Sequence, residues 1–116
     1  YNLALFDKST EIEFNIGDVG SSIFGNSAKK VKVNTATLDS FNIKNVDMLK
    51  IDVEGAEVNV IKGAMKTLEE TSQILIEVAK QNISSIEDIL LEKGFREKRR
   101  TNTNPTTTYV LYEKAK

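Results

Sequence analysis

Val46-Asp-Met-Leu-Lys-Ile-Asp-Val-Glu-Gly-Ala-Glu57 is the stretch that decides the fold. Val46 to Val53 reads as a strand, Gly55 as a turn, and Ala56 to Glu70 as a helix. On a helical wheel Val58, Ile61, Met65 and Leu68 share a stripe that Val60 and Ala64 widen, while Asn59, Lys62, Lys66, Glu69 and Glu70 face away. Gln73 to Val78 (QILIEV) is a nearly continuous apolar run, the pattern of a parallel strand covered on both faces. A strand, a helix and a second strand in this order imply a right-handed crossover and a parallel sheet.

Downstream, Ser84-Ser-Ile-Glu87 predicts a capping box, with Ile83 placed as its hydrophobic staple. Ile86, Ile89 and Leu90 give that helix a core face, and Gly94 stands where a left-handed stop belongs. A strand near Phe95 to Arg100, a polar loop around Pro105 and a strand from Thr107 to Tyr112 follow. The short loop between the last two predicts a hairpin, so the final strand should run antiparallel to its neighbour.

Upstream, Tyr1 to Phe6 reads as a short buried strand closed by a polar turn at Asp7 to Thr10. Glu11 to Ile16 alternates strictly, with Ile12, Phe14 and Ile16 on one face. A loop holding Gly17, Gly20 and Gly25 leads to a second alternating strand from about Val31 to Thr37, and the two predict an inserted antiparallel hairpin. Leu38 to Phe41 predicts one helical turn. No repeat and no second domain are visible, so residues 1–116 are read as one α/β domain.

Composition narrows the chemistry. With 116 residues and 40% apolar content the chain can bury one modest core. Sixteen basic against 17 acidic residues give no global field toward nucleic acid or an anionic membrane, so neither is expected as a partner. The chain has no Cys and no His. Thiolate metal sites are excluded, and proton transfer falls to carboxylates, Lys or Tyr. No apolar run approaches the ~20 residues that span a bilayer. Tyr1 to Phe6 lacks the basic flank of a signal peptide, so a cytoplasmic protein is expected. It also starts in mid-strand, which predicts that the chain is a piece of a longer protein.

Ligands of open α/β sheets sit at the carboxyl ends of the strands, and acids cluster there. Asp52 ends one strand, Glu54 lies on the turn, Glu57 opens the helix, Glu77 ends the adjacent apolar strand, and Asp7 follows the first strand. Acids are depleted in strands and rarely buried alone, so Asp52 and Glu77 are candidates for chemistry. Lys50, on the same face as Asp52, offers a structural ion pair instead. Glu57 falls inside the apolar stripe, where capping of its own first turn competes with a ligand role. Asp52, Glu54 and Glu57 could hold Mg²⁺ through oxygen ligands, and the same carboxylates could orient a substrate hydroxyl or accept its proton. No GxGxxG or GxxxxGK[ST] cradle exists for phosphates. Arg96-Glu-Lys-Arg-Arg100 reads as a solvated edge strand.

Taken in order, Thr37-Leu-Asp-Ser-Phe41, Val46 to Glu57, Ile61-Lys-Gly-Ala64 and Ile74-Leu-Ile-Glu-Val78 resemble the TLDsF, KIDVEGaE, GA and IEv segments of the FkbM methyltransferases. Asn2 to Asp7 is similar to their upstream n.Al.D segment. The resemblance implies the C-terminal part of a Rossmann-like class I methyltransferase sheet, with Tyr1 to Phe6 as its third strand. It implies S-adenosylmethionine as cofactor and O-methyl transfer to a sugar or another small-molecule hydroxyl. Asp52, Glu77 and Glu54 would then serve catalysis, and Leu5 and Asp7 would lie near the cofactor's adenine. Two departures stand out. The family's first strand and Gly-rich loop would lie upstream of Tyr1, so the chain is expected to lack its main cofactor grip. Where members often carry His after the IEv strand, this chain has Ala79 and Lys80. The competing expectation is a non-catalytic half-domain, an interaction or assembly module that forms a homo-oligomer through an open sheet flank.

Overall fold

The computed structural model describes residues 4–17, 20–22, 29–53, 55–102 and 104–115. Tyr1 to Leu3 of the expected first strand, Gly25 of the expected loop and the candidate Glu54 lie outside them. Among the described residues, strands form two four-stranded sheets.

In the first sheet, β1 (Ala4–Leu5) lies parallel to β4 (Lys29–Ala36), which pairs antiparallel with β2 (Glu11–Gly17). The predicted hairpin is therefore present. Between its two strands Gly20–Ser22 forms β3 and returns along β2 with Gly17 opposite Gly20. Thr35 secures the turn that follows β1: its hydroxyl donates to the Lys8 carbonyl at 2.7 Å and accepts from the Thr10 amide at 2.9 Å. That turn begins at Asp7.

The second sheet has the order β5-β6-β8-β7, with β5 Val46–Ile51, β6 Thr71–Ala79, β7 Phe95–Asn102 and β8 Thr107–Lys114. β5 and β6 are parallel neighbours, and β8 runs antiparallel to both β6 and β7. The hairpin expected at the end of the chain is present. Its last strand slots between β6 and β7, so those two are not direct neighbours. Burial explains the order. β8 buries Thr108, Val110 and Tyr112, while β7 buries only Phe95 and carries its basic residues at the sheet edge.

One face of this sheet packs on the helices α1 (Glu57–Lys62), α2 (Met65–Glu69) and α3 (Ile83–Glu92). Ile74, Ile76, Val78, Ile61, Leu68 and Leu90 are wholly buried there. On the opposite face Leu75 and Leu111 are only half-buried and stand outside that core. The expectation that QILIEV is covered on both faces is corrected accordingly: the run alternates between fully and partly buried positions.

The single helix expected over Ala56 to Glu70 is two helices. The break falls at Gly63, where a side chain would press into the Phe6 backbone carbonyl and approach Asp7 Cα to 3.3 Å. A neighbouring segment thus dictates the glycine. The break also frees the start of α2 for a cap from elsewhere. Asp39, in the short 3₁₀ turn Leu38–Phe41, accepts from the Lys66 amide at 3.0 Å and from the Thr67 amide and hydroxyl at 2.8 Å each. Partial burial pushes the Asp39 carboxyl up, but these bonds outweigh it and hold it below the ordinary carboxylate range. At the other end of α2, the Lys114 ammonium donates to the Leu68 and Glu69 carbonyls at 2.8 and 2.9 Å.

Helix α3 starts one residue before the predicted capping box. Asn82 takes the N-cap position without a side-chain cap bond, so Ser84 lies inside the helix and Glu87 pairs with Arg100 instead. Gly94 ends the helix at φ 91°, as its position predicts.

Tyr112 is 2% exposed, and its hydroxyl has no partner among the described residues. Burial, together with the negative charge of Glu87, pushes its phenol up to about 12. Removing an unsatisfied buried hydroxyl relieves a desolvation cost. Tyr112→Phe is therefore expected to leave stability unchanged or raise it by about 1 kcal/mol, measured by urea unfolding. A clear loss would mean the hydroxyl is hydrogen-bonded in solution.

Candidate active site

Parallel pairing brings the two strand-end acids level. Ile51 of β5 stands opposite Ile76 of β6, so the residues that follow, Asp52 and Glu77, leave neighbouring strands side by side. Glu77 in turn has Tyr109 of β8 as its antiparallel register partner. The three polar groups form one rim: Asp52 exposed, Glu77 and Tyr109 half-buried.

The electrostatics of Tyr109 record that proximity. Its hydroxyl lies beside the Glu77 carboxylate across the β6–β8 pair. The pull of Glu77 on the neutral hydroxyl, partial burial, and the negative charges of Asp52 and Glu77 push the phenol up to about 12. Tyr109 is not a candidate from sequence, because it occupies an ordinary alternating strand. Only the insertion of β8 beside β6 brings it to Glu77.

Lys50 does not neutralise the rim. It is exposed and forms no ion pair with Asp52 or Glu77 among the described residues. Two carboxylates without a cation can accept hydrogen bonds from a polar ligand, and either can take a proton from it.

Glu57 is held elsewhere. It is 2% exposed, and its Oε1 accepts from the Ala79 amide at 2.9 Å while Oε2 accepts from the Asn82 side-chain amide at 3.1 Å. The carboxylate thus ties the start of α1 to the end of β6 and fixes the strand that carries Glu77. Its place inside the apolar stripe is explained by this clamp rather than by capping of its own helix. Among the described residues no group of three or more acids is arranged to hold a metal ion.

Leu5 and Asp7 stand at the end of β1, in the other sheet. Leu5 is half-buried and packs against the core. Asp7 Oδ2 accepts from the Asn59 side-chain amide of α1 at 3.2 Å. Its Oδ1 is buried and has no partner among the described residues. An ionised carboxylate only accepts, so this oxygen fits a ligand that brings an N–H or O–H donor. The residues present are in that respect compatible with a nucleoside-bearing cofactor.

Among the described residues no helix is long and apolar enough to cross a membrane. No curated protein and no solved structure matches the chain. Residues 3–97 match the family model described as the methyltransferase FkbM domain. That match spans both the Asp7 turn and the Asp52–Glu77 strand ends, and it shows that the chain belongs to the FkbM methyltransferase family.

Proposed function

We propose that the chain forms the acceptor side of an S-adenosylmethionine-dependent methyltransferase acting on a hydroxyl of a sugar or another small molecule. The observation that carries this reading is the rim itself: Asp52, Glu77 and Tyr109 on neighbouring strands, with no cation paired to the acids among the described residues. The order β5-β6-β8-β7 with an antiparallel β8 supports reading the sheet as the C-terminal part of a Rossmann-like class I methyltransferase.

When bound, S-adenosylmethionine supplies an electrophilic methyl carbon on a sulfonium. The protein's work is to position the acceptor and remove its proton. Glu77, beside Tyr109, would accept the hydrogen bond of the acceptor hydroxyl and take its proton as the oxygen–carbon bond forms and the methyl–sulfur bond breaks, the sulfonium leaving as a neutral thioether. Asp52 would orient a second hydroxyl beside it. Asp7 would hold the nucleoside through Oδ1.

Transfer of a labelled methyl group to sugar acceptors, measured on the protein as its gene encodes it, tests this. Asp52→Asn and Glu77→Gln are each expected to lower kcat by about 10²-fold or more, with folding unchanged. Full activity in both variants would remove the rim from the mechanism.

One observation favours an assembly role as a second reading. β5 is hydrogen-bonded only to β6 among the described strands, and Met48 on it is 49% exposed. Such an edge invites pairing with a second copy. A monomer at every concentration in light scattering would dismiss it.

A further inference from the structure

The pairing of Asp7 with Asn59 has a directional consequence. Asp7 is fixed twice. Its backbone is held where the turn after β1 passes Gly63, with no room for a side chain at that glycine. Its carboxylate is held by Asn59, which donates to Oδ2 at 3.2 Å from the middle of α1. Because the carboxylate only accepts, Asn59 must present its NH₂ group to it. With Oδ2 engaged, the group cannot turn freely, and Oδ1 is left buried and unpaired among the described residues. A buried acceptor with no donor is costly. It is well placed only if a ligand supplies the donor.

We propose that Asn59 is a positioning residue that fixes Asp7 so that Oδ1 selects a nucleoside bearing an amino donor. This rests on the cofactor reading above. Asn59 does not touch the ligand; it decides which atom of Asp7 does. The amide also discriminates between the two ends of a substituted side chain. In Asp7→Asn, the side-chain oxygen is the only acceptor left for the Asn59 NH₂ group, so the NH₂ group of the substituted side chain would turn to the ligand. The site would then present a donor where it presented an acceptor.

The test uses S-adenosylhomocysteine, whose base carries an amino group, and S-inosylhomocysteine, whose base carries a carbonyl at the same position. Binding is read by calorimetry on the protein as its gene encodes it. The unaltered protein is expected to prefer the adenosine compound by roughly tenfold or more. Asp7→Asn is expected to reverse the preference. Asn59→Leu, similar in size and lacking the donor, is expected to abolish the preference and, combined with Asp7→Asn, its reversal, in a protein that still folds but with a lower unfolding midpoint because Asp7 Oδ2 loses its donor. A purely structural role for Asn59 would change affinity for both compounds alike and could not reverse a preference.

Equal binding of the two compounds by the parent would overturn the proposal, as would binding of neither. Selectivity surviving in Asn59→Leu would also overturn it. The functional reading fails separately. Selectivity retained without methyl transfer removes the reaction and leaves the role of Asn59, while methyl transfer without selectivity does the reverse.

Discussion

Glu57→Ala is expected to destabilise the domain by about 3 kcal/mol, because two donors lose their acceptor at once. The Ala79 amide and the Asn82 side chain both point at the Glu57 carboxylate, and the site is nearly sealed from water at 2% exposure. A buried polar group left without a partner costs about 1–3 kcal/mol, and truncation of a buried side chain adds a void. Glu57→Gln keeps one acceptor oxygen and turns its NH₂ group toward a donor, so a loss of about 2 kcal/mol is expected. Urea unfolding measures both. Truncation also loosens the end of β6, so chemical-shift changes should reach Glu77. If Glu57→Ala unfolds at the parent's midpoint, the clamp contributes nothing, and the buried carboxylate needs another explanation.

Gly63→Ala is the second large effect. The backbone of Gly63 has φ −85°, which any residue adopts. The cost is therefore purely steric. A methyl group there would press into the Phe6 carbonyl, 3.2 Å from the Phe6 carbonyl carbon and 3.3 Å from Asp7 Cα. These are backbone atoms, which cannot swing aside as a flexible side chain would. Overpacking of this kind costs about 1–3 kcal/mol, and a loss at the upper end is expected in thermal or urea unfolding. Gly94→Ala provides the contrast. Nothing lies within 4 Å of a side chain there, but φ is 91°, so only conformational strain of about 1 kcal/mol is expected. Equal losses in the two variants would contradict the close approach of the β1 turn to the α1–α2 break.

Glu57 and Gly63 also mark where sequence reading stops. Short-range patterns were legible. Alternation placed β2 and β4, the Val46–Glu57 stretch placed β5, its turn and the following helix, and Gly94 ended α3 where its conformation requires. Asp52 and Glu77 stood out because acids interrupt apolar strands at the edge where ligands bind. What the sequence hid depends on contacts between distant segments. Gly63 breaks a helix whose wheel pattern continues through it, because the β1 turn occupies the space a side chain would need. Asn82 turns its side chain to Glu57, and the capping box at Ser84 goes unused. Asp39, within a motif that carries family resemblance, caps a helix 27 residues away in sequence. Tyr109 has nothing in its local pattern to mark it, since a strand order with β8 beside β6 must be known first. Asn59 lies on the polar side of a helical wheel and meets Asp7 only through the fold that brings α1 to the end of β1.

Asp52, Glu77 and Tyr109 share one rim, and Tyr109 reports on it directly. The chain has three tyrosines, so tyrosine labelled with ¹³C at the ring carbon bearing the hydroxyl resolves each phenol during an NMR pH titration. Tyr109 is expected to ionise at about 12. The shift arises because the adjacent Glu77 carboxylate favours the neutral hydroxyl and both carboxylates oppose a negative phenolate. Neutralising Glu77 should therefore lower the value, so Glu77→Gln is expected to bring Tyr109 most of the way back toward ~10, the ordinary phenol value, and Asp52→Asn to lower it by less. A Tyr109 that titrates near the ordinary value in the parent, or that ignores both substitutions, would contradict the shared rim and the acceptor site built on it.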